Sequence, residues 1–128
     1  MRVLIADDNE IVRKVAERIL QSRGDIQCIE AESGDEAVQK AIALEPDIVI
    51  LDISMPRSDG FEVAKDLKQY LPTTPILFFS VYDNRHYVEK ARSIGEGLVV
   101  KDQAAAVLLE AIDALAQGKT FFPPTPSI

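Results

Sequence analysis

The sequence predicts a doubly wound α/β domain, a five-stranded parallel sheet with helices on both faces. Two observations predict it. Five short apolar runs, rich in β-branched and aromatic residues, alternate with five stretches whose apolar residues recur at helical spacing. Three of the runs are apolar nearly throughout, as strands buried on both faces require. Such alternation means βαβ units. Parallel strands need crossovers, crossovers are right-handed, and the helices then cover both faces of the sheet.

The elements follow in order. Val3–Ala6 is the first run, and Val12, Val15, Ala16 and Ile19 are the first helical stripe. Gly24 sits where a helix end needs a left-handed residue. The second run, Ile26–Ala31, is broken by Gln27 and Glu30. Ser33-Gly34-Asp35-Glu36 reads as a capping box for the helix carrying Ala37, Val38, Ala41 and Ile42, and Glu45-Pro46 closes that helix. Ile48–Leu51 is followed by Val63, Ala64, Leu67 and Leu71. Ile76–Phe79 is followed by Tyr87, Val88, Ala91 and Ile94, with Gly95 as a second candidate left-handed residue. Leu98–Val100 is followed by Val107, Leu108, Ala111, Ile112 and Leu115. Fold-level analogy gives the strand order 2-1-3-4-5, the flavodoxin-like arrangement. Residues 1–118 are expected to form the domain. Residues 119–128, with three prolines in the last six, are expected to be an extended linker or tail.

Composition narrows the function. A chain of 128 residues has room for one core, and 47% apolar with 27% charged residues is the globular range. A net charge of −7 argues against a stand-alone nucleic-acid binder. Cys28 is the one cysteine, which excludes an internal disulfide and a Cys-rich metal site. No apolar run spans a bilayer, and the apolar start is too short for a signal peptide, so a cytoplasmic protein without a membrane partner is expected. Residues 25–66 hold 11 acids against three bases, read mainly as solvated helix faces.

In open α/β sheets ligands bind beyond the carboxyl ends of the strands. The first run ends in Asp7-Asp8, the third in Asp52, the fourth in Ser80 and the fifth in Lys101. Each has a plainer reading: Asp7-Asp8 as a helix N-cap pair, Asp52 and Ser80 as turn residues, Lys101 as a solvated cation. Together they carry the residue types of one chemistry. Three clustered carboxylates repel and either raise a pKa or hold a cation. Oxygen ligands without His or Cys suit Mg²⁺ before a transition metal. A hard cation, a lysine and a hydroxyl suit a phosphoryl group, and a carboxylate among them can act as nucleophile.

These residues, with Leu51-Asp52-Ile53-Ser54-Met55-Pro56, Asp59-Gly60 and Phe79-Ser80, resemble the receiver domain of bacterial two-component response regulators over nearly the whole chain. The resemblance implies that Asp52 accepts a phosphoryl group from the phosphohistidine of a sensor histidine kinase. It implies that Asp8 ligates Mg²⁺ directly, Asp7 through water, and the Ser54 backbone carbonyl as a further ligand. Lys101 would pair with a phosphoryl oxygen, and Ser80 would turn its hydroxyl toward the phosphoryl group. Gly60 is expected to supply positive φ in the turn into the third helix. Lys101-Asp102 and Ala114-Leu115-Ala116-Gln117-Gly118 leading to Phe122-Pro123 are similar to the LuxR-type (NarL-like) branch. In that branch DNA is bound by a separate domain, which these residues do not contain.

The sequence departs from the family where Leu98 replaces the switch aromatic and Gly95-Glu96-Gly97 replaces the usual Gly-Ala. Tyr82 and Ser54 stand where the family tunes water access. Arg13, Lys14, Arg18 and Arg23 make the first helix basic, either as a solvated face or as a kinase-docking surface. His86 reads as solvated and Cys28 as a small core residue. Ala105, Leu109 and Ala116 give the fifth helix a second apolar side, and with it an expected homodimer contact. The leading reading is a phosphorylation switch that assists its own modification and is otherwise no enzyme. The alternatives are a phosphorylation-independent scaffold and an Mg²⁺-dependent aspartyl phosphatase. The latter usually has a second acid where this chain has Ser54.

Overall fold

The computed structural model describes residues 1–124, so residues 125–128 of the expected linker lie outside the described residues. Five strands form one parallel sheet: β1 (Arg2–Ala6), β2 (Gln27–Ala31), β3 (Ile48–Asp52), β4 (Ile76–Ser80) and β5 (Gly97–Val100). A small antiparallel hairpin, Ser54–Met55 with Ser58–Asp59, is left unnumbered. The sheet order is then 2-1-3-4-5, as expected. Every residue of β3, β4 and β5 is buried, which is why these runs are apolar nearly throughout.

The five helices are α1 (Glu10–Gln21), α2 (Gly34–Leu44), α3 (Gly60–Tyr70), α4 (Arg85–Ile94) and α5 (Ala104–Ala116). Alternate strand residues point to opposite faces. Val3, Ile5, Ile50, Leu77, Phe79 and Val99 meet Ala16 and Leu20 of α1 and Leu108, Ala111 and Ile112 of α5. Leu4, Val49, Leu51, Phe78 and Leu98 face Ala37 and Ala41 of α2, Ala64 and Leu67 of α3 and Ala91 of α4.

Local signals differ from expectation at several points. In α1 the buried residues are Arg13, Ala16 and Leu20, whereas Val15 is exposed, so the buried stripe is offset from the apolar one. In α2 Ile42 is likewise exposed. Ser33 caps α2 by accepting the Glu36 N–H (3.1 Å), but the Glu36 carboxylate pairs with Lys40 (3.0 Å), so the capping box is half formed. Gly24 takes positive φ; Gly95 does not. Gly95 is extended and lies where a Cβ would meet the Phe78 ring at 2.8 Å. Gly60 also lacks positive φ, and its role is close approach, since a Cβ there would lie 2.3 Å from the Asp52 carbonyl oxygen. The left-handed residue of that loop is Arg57, at φ 63°.

Beyond α5 the chain returns along the sheet. Phe121 bridges Gly97 in parallel, accepting the Leu98 N–H (2.8 Å) and donating to the Glu96 carbonyl (3.0 Å). Glu96 explains its own departure from the family pattern: its carboxylate accepts the Ile76 N–H (2.8 Å) and pairs with Lys68. Among the described residues no helix is long and apolar enough to cross a membrane.

Candidate functional site

The carboxyl edge of the sheet gathers acids from two central strands and a cation from a third. Asp7 and Asp8 follow β1, Asp52 ends β3, and Lys101 begins a 3₁₀ turn directly after β5. One carboxylate oxygen from each of Asp7, Asp8 and Asp52 lies within 4.8 Å of the others. Asp7 and Asp52 are buried while Asp8 is exposed, so the group opens to solvent on the Asp8 side.

Asp7 and Asp8 are free for this arrangement because they do not cap α1. Asn9 does, its side chain accepting from the N–H groups of Ile11 (2.9 Å) and Val12 (3.2 Å). The Asn9 N–H donates to Asp7 Oδ1 (2.9 Å). Asp52 does make a turn: its Oδ1 accepts the Ser54 N–H (3.1 Å). Asp59 caps α3 by accepting the Phe61 N–H (2.8 Å) and so anchors the far end of the loop that follows Asp52.

Lys101 Nζ stands 3.2 Å from Asp52 Oδ1 and 2.8 Å from Asp7 Oδ2. The ammonium thus bridges the two buried carboxylates. Burial pushes the Asp52 carboxyl up to about 6, and the neighbouring Asp7 charge adds to this; the Ser54 N–H and Lys101 oppose it in part. Burial alone would lower the Lys101 ammonium, but Asp7 and Asp52 outweigh it and hold it above its ordinary value. A small hard cation fits this donor set. The ligands are oxygens only, and three acids outnumber the one lysine, so the cluster keeps net negative charge for a cation to neutralise.

Ser80 lies on the same edge, one residue past the Phe79 that pairs with Asp52, and is buried. Its Oγ accepts the Tyr82 N–H (2.9 Å) and so faces its own loop. Leu98 pairs with Phe78 in the sheet and is fully buried in the α2–α3–α4 layer. Aromatic residues on that side include Tyr82 and Tyr87, stacked at 5.3 Å, with Phe61 beyond at 6.3 Å and Phe78 against Phe61 at 5.0 Å. His86 is exposed beside Tyr87, and the half-buried Cys28 thiol is pushed up to about 11 mainly by burial. The basic first helix resolves into separate roles. Arg13 is buried against Glu30, Lys14 pairs with Glu30 (2.8 Å), and Arg23, which lies past the end of α1, pairs with Asp113 of α5. Sequence reasoning placed Arg13 on a solvated or docking face and missed its burial. Its spacing of three and seven from Ala16 and Leu20 was the available signal.

Fold and site define a doubly wound α/β protein with a carboxylate–lysine cluster suited to phosphoryl chemistry. Comparison with known proteins makes the class specific: residues 3–113 match the response regulator receiver domain, and the chain belongs to that family. Its relatives are transcriptional response regulators of the LuxR, NarL and DegU kind. Transcriptional regulatory protein DegU of Brevibacillus brevis is 31% identical over 126 residues, which is 97% of this chain and 53% of that protein. A LuxR-family two-component response regulator from Aurantimonas sp. SI85-9A1 superposes with a TM-score of 0.91 at 29% identity, over 96% of this chain and 89% of that one. The non-phosphorylated receiver domain of the stress response regulator RcsB from Escherichia coli gives a TM-score of 0.89 at 29% identity, over 97% and 98% of the two chains. The chain spans a little over half the length of the curated relatives it matches.

Proposed function

We propose that this receiver domain takes a phosphoryl group onto Asp52 from the phosphohistidine of a sensor histidine kinase and so controls an output, transcription in the first instance. The observation that carries the reading is the pairing of Lys101 with both Asp52 and Asp7 in a cluster of three carboxylates. An Asp52 oxygen attacks phosphorus, the phosphorus–nitrogen bond to the kinase histidine breaks, and the imidazole leaves with its electron pair. Lys101, already between two carboxylates, transfers its contact to a phosphoryl oxygen. Ser80 gives up its bond from the Tyr82 N–H and turns its hydroxyl toward the same group. Asp7, Asp8, Asp52 and the Ser54 carbonyl would hold Mg²⁺, which when bound neutralises the carboxylates and the charge developing on the phosphoryl oxygens.

The domain assists its own phosphorylation and dephosphorylation and turns over no separate metabolite. This reading locates it in the cytoplasm beside the kinase, with DNA contact belonging to a separate domain. It includes self-association through α5, whose outer side carries exposed Ala105 and Ala116 with half-buried Leu109. Intact mass after incubation with a small phosphodonor tests the reaction. A single phosphoryl adduct that needs Mg²⁺ and vanishes in Asp52→Asn supports it. No adduct on the wild-type chain overturns it in favour of a scaffold, and steady phosphate release from unrelated monoesters overturns it in favour of a phosphatase. Sedimentation with and without a phosphoryl mimic tests the dimer, which a monomer in both states overturns.

A further inference from the structure

Among the described residues four polar or charged side chains are buried: Asp7, Arg13, Asp52 and Ser80. Three belong to the site already described. The fourth is a guanidinium that makes no contact with the reacting groups, and it lies directly behind the acid pair. Arg13, 8% exposed, sends one nitrogen to the Asp7 carbonyl oxygen (2.7 Å), while its Nε pairs with Glu30 of β2 (3.0 Å).

The geometry points to Arg13 as a positioning residue for the divalent-cation site. This inference rests on the proposed reading of Asp7 and Asp8 as cation ligands. The Asp7 carbonyl belongs to the peptide that joins the two acids. Rotating that peptide moves Asp8 relative to Asp7 and so changes the spacing of the cluster. The amide on the other side of Asp7 is fixed by its N–H bond to the Ala31 carbonyl (3.1 Å), and the Asp7 side chain by the Asn9 N–H (2.9 Å). The peptide following Asp7 has the Arg13 fork as its clamp. Glu30 holds the fork, and Lys14 Nζ holds the other Glu30 oxygen (2.8 Å), so the clamp is braced from β2 and from α1. A guanidinium suits the task, because its rigid donors reach a carbonyl and a carboxylate at once, which an ammonium cannot do in the same geometry.

The sign of the effect separates positioning from plain electrostatics. Arg13 is a positive charge close to a cation site. Acting through charge alone, its removal tightens Mg²⁺ binding; acting as a clamp, its removal weakens it. Partners that orient metal ligands are typically worth about 10–100-fold in metal affinity.

The test is calorimetric titration of the full chain with Mg²⁺, beside thermal unfolding of each variant without the metal. Arg13→Ala is expected to weaken Mg²⁺ affinity about tenfold or more. Arg13→Lys keeps the charge and one donor, and recovers part of that loss. Lys14→Met removes a cation that braces Glu30, so charge alone tightens Mg²⁺ binding whereas a loosened clamp weakens it, and this variant keeps the test open even if Arg13→Ala fails to fold. Unchanged or tighter Mg²⁺ binding in Arg13→Ala and Lys14→Met, whatever their unfolding temperatures, overturns the positioning role and leaves the cation site standing. Absence of Mg²⁺ binding by the wild-type chain overturns the cation site and the positioning role with it.

Discussion

Asp52 keeps its negative charge against burial and against Asp7, so removing that charge stabilises the protein when no cation is bound. Its carboxyl is raised from the ordinary 3.8 to about 6 in the folded state. The native state therefore holds a proton that the unfolded chain has already lost across that interval. Stability falls as pH rises from near 4 to near 6, by about 3 kcal/mol at most, and stays low above it. Asp52→Asn removes this slope: in cation-free buffer it is more stable than wild type at neutral pH and equal to it at pH near 4, as measured by urea unfolding. Saturating Mg²⁺ flattens the wild-type profile and leaves the variant unchanged. Lys101→Met has the opposite sign. It leaves Asp7 and Asp52 facing one another without the ammonium that touches both. Breaking a buried pair in this way costs about 3–5 kcal/mol at neutral pH, and less under acid conditions where Asp52 is protonated. The two substitutions change charge at the same spot by one unit each, and unfolding midpoints in opposite directions are the expected result.

At the scale of elements, the loop from Asp52 to α3 is built around a close approach. Gly60 opens α3 with its backbone pressed on the end of β3. A Cβ there would meet the Asp52 carbonyl oxygen at 2.3 Å and Ile53 Cα at 2.6 Å, and these backbone atoms cannot swing away. Gly60→Ala is expected to cost about 3 kcal/mol, read as a lower urea midpoint, and to displace Asp52 enough to weaken Mg²⁺ binding. From sequence the residue was legible as special but for the wrong reason, because a glycine motif does not distinguish positive φ from steric contact. Gly95 repeats the lesson against Phe78. The strands were legible because burial on both faces leaves a continuous apolar run. The site was legible because strand ends in a parallel sheet converge whatever the loops do. The register of α1 was not. Its stripe was read from Val12, Val15, Ala16 and Ile19, but Arg13 takes a place on the buried face and Val15 points to water. Hydropathy assigns a guanidinium to solvent; only tertiary partners, here Glu30 and the Asp7 carbonyl, can offset its burial.

At the scale of the molecule, the sheet has two edges, and they are treated differently. β2 ends one side as a half-exposed strand bearing Gln27 and Glu30. On the other side β5 is fully buried, and an uncovered edge there would leave backbone groups without partners. The chain beyond α5 covers it. Phe121 takes the Leu98 N–H and gives its own N–H to Glu96, and Phe122 lies beneath the Arg92 guanidinium of α4 at 4.5 Å. Gly97 permits the approach, since a Cβ there would stand 2.9 Å from the Phe121 carbonyl oxygen. The segment following Gly118 is thus tied to β5 and α4 at the point where Leu98 replaces the family's switch aromatic. A chain ended at Gly118 loses three backbone hydrogen bonds among the described residues, two at β5 and one from the Lys119 N–H to the Ala114 carbonyl, each worth about 1 kcal/mol, together with the cover of two phenyl rings. It is expected to unfold at lower urea, with a loss of about 2–4 kcal/mol, and to expose the Leu98 amide to rapid hydrogen exchange while the amides of β1 and β3 stay protected in the folded state. Phe122→Ala in the full chain separates the two contributions. It removes the contact with Arg92 but leaves the Phe121 bridge, so α4 amides exchange faster and the Leu98 amide does not. Equal protection of Leu98 in the shortened and full chains would show that the returning segment is not held at this edge in solution.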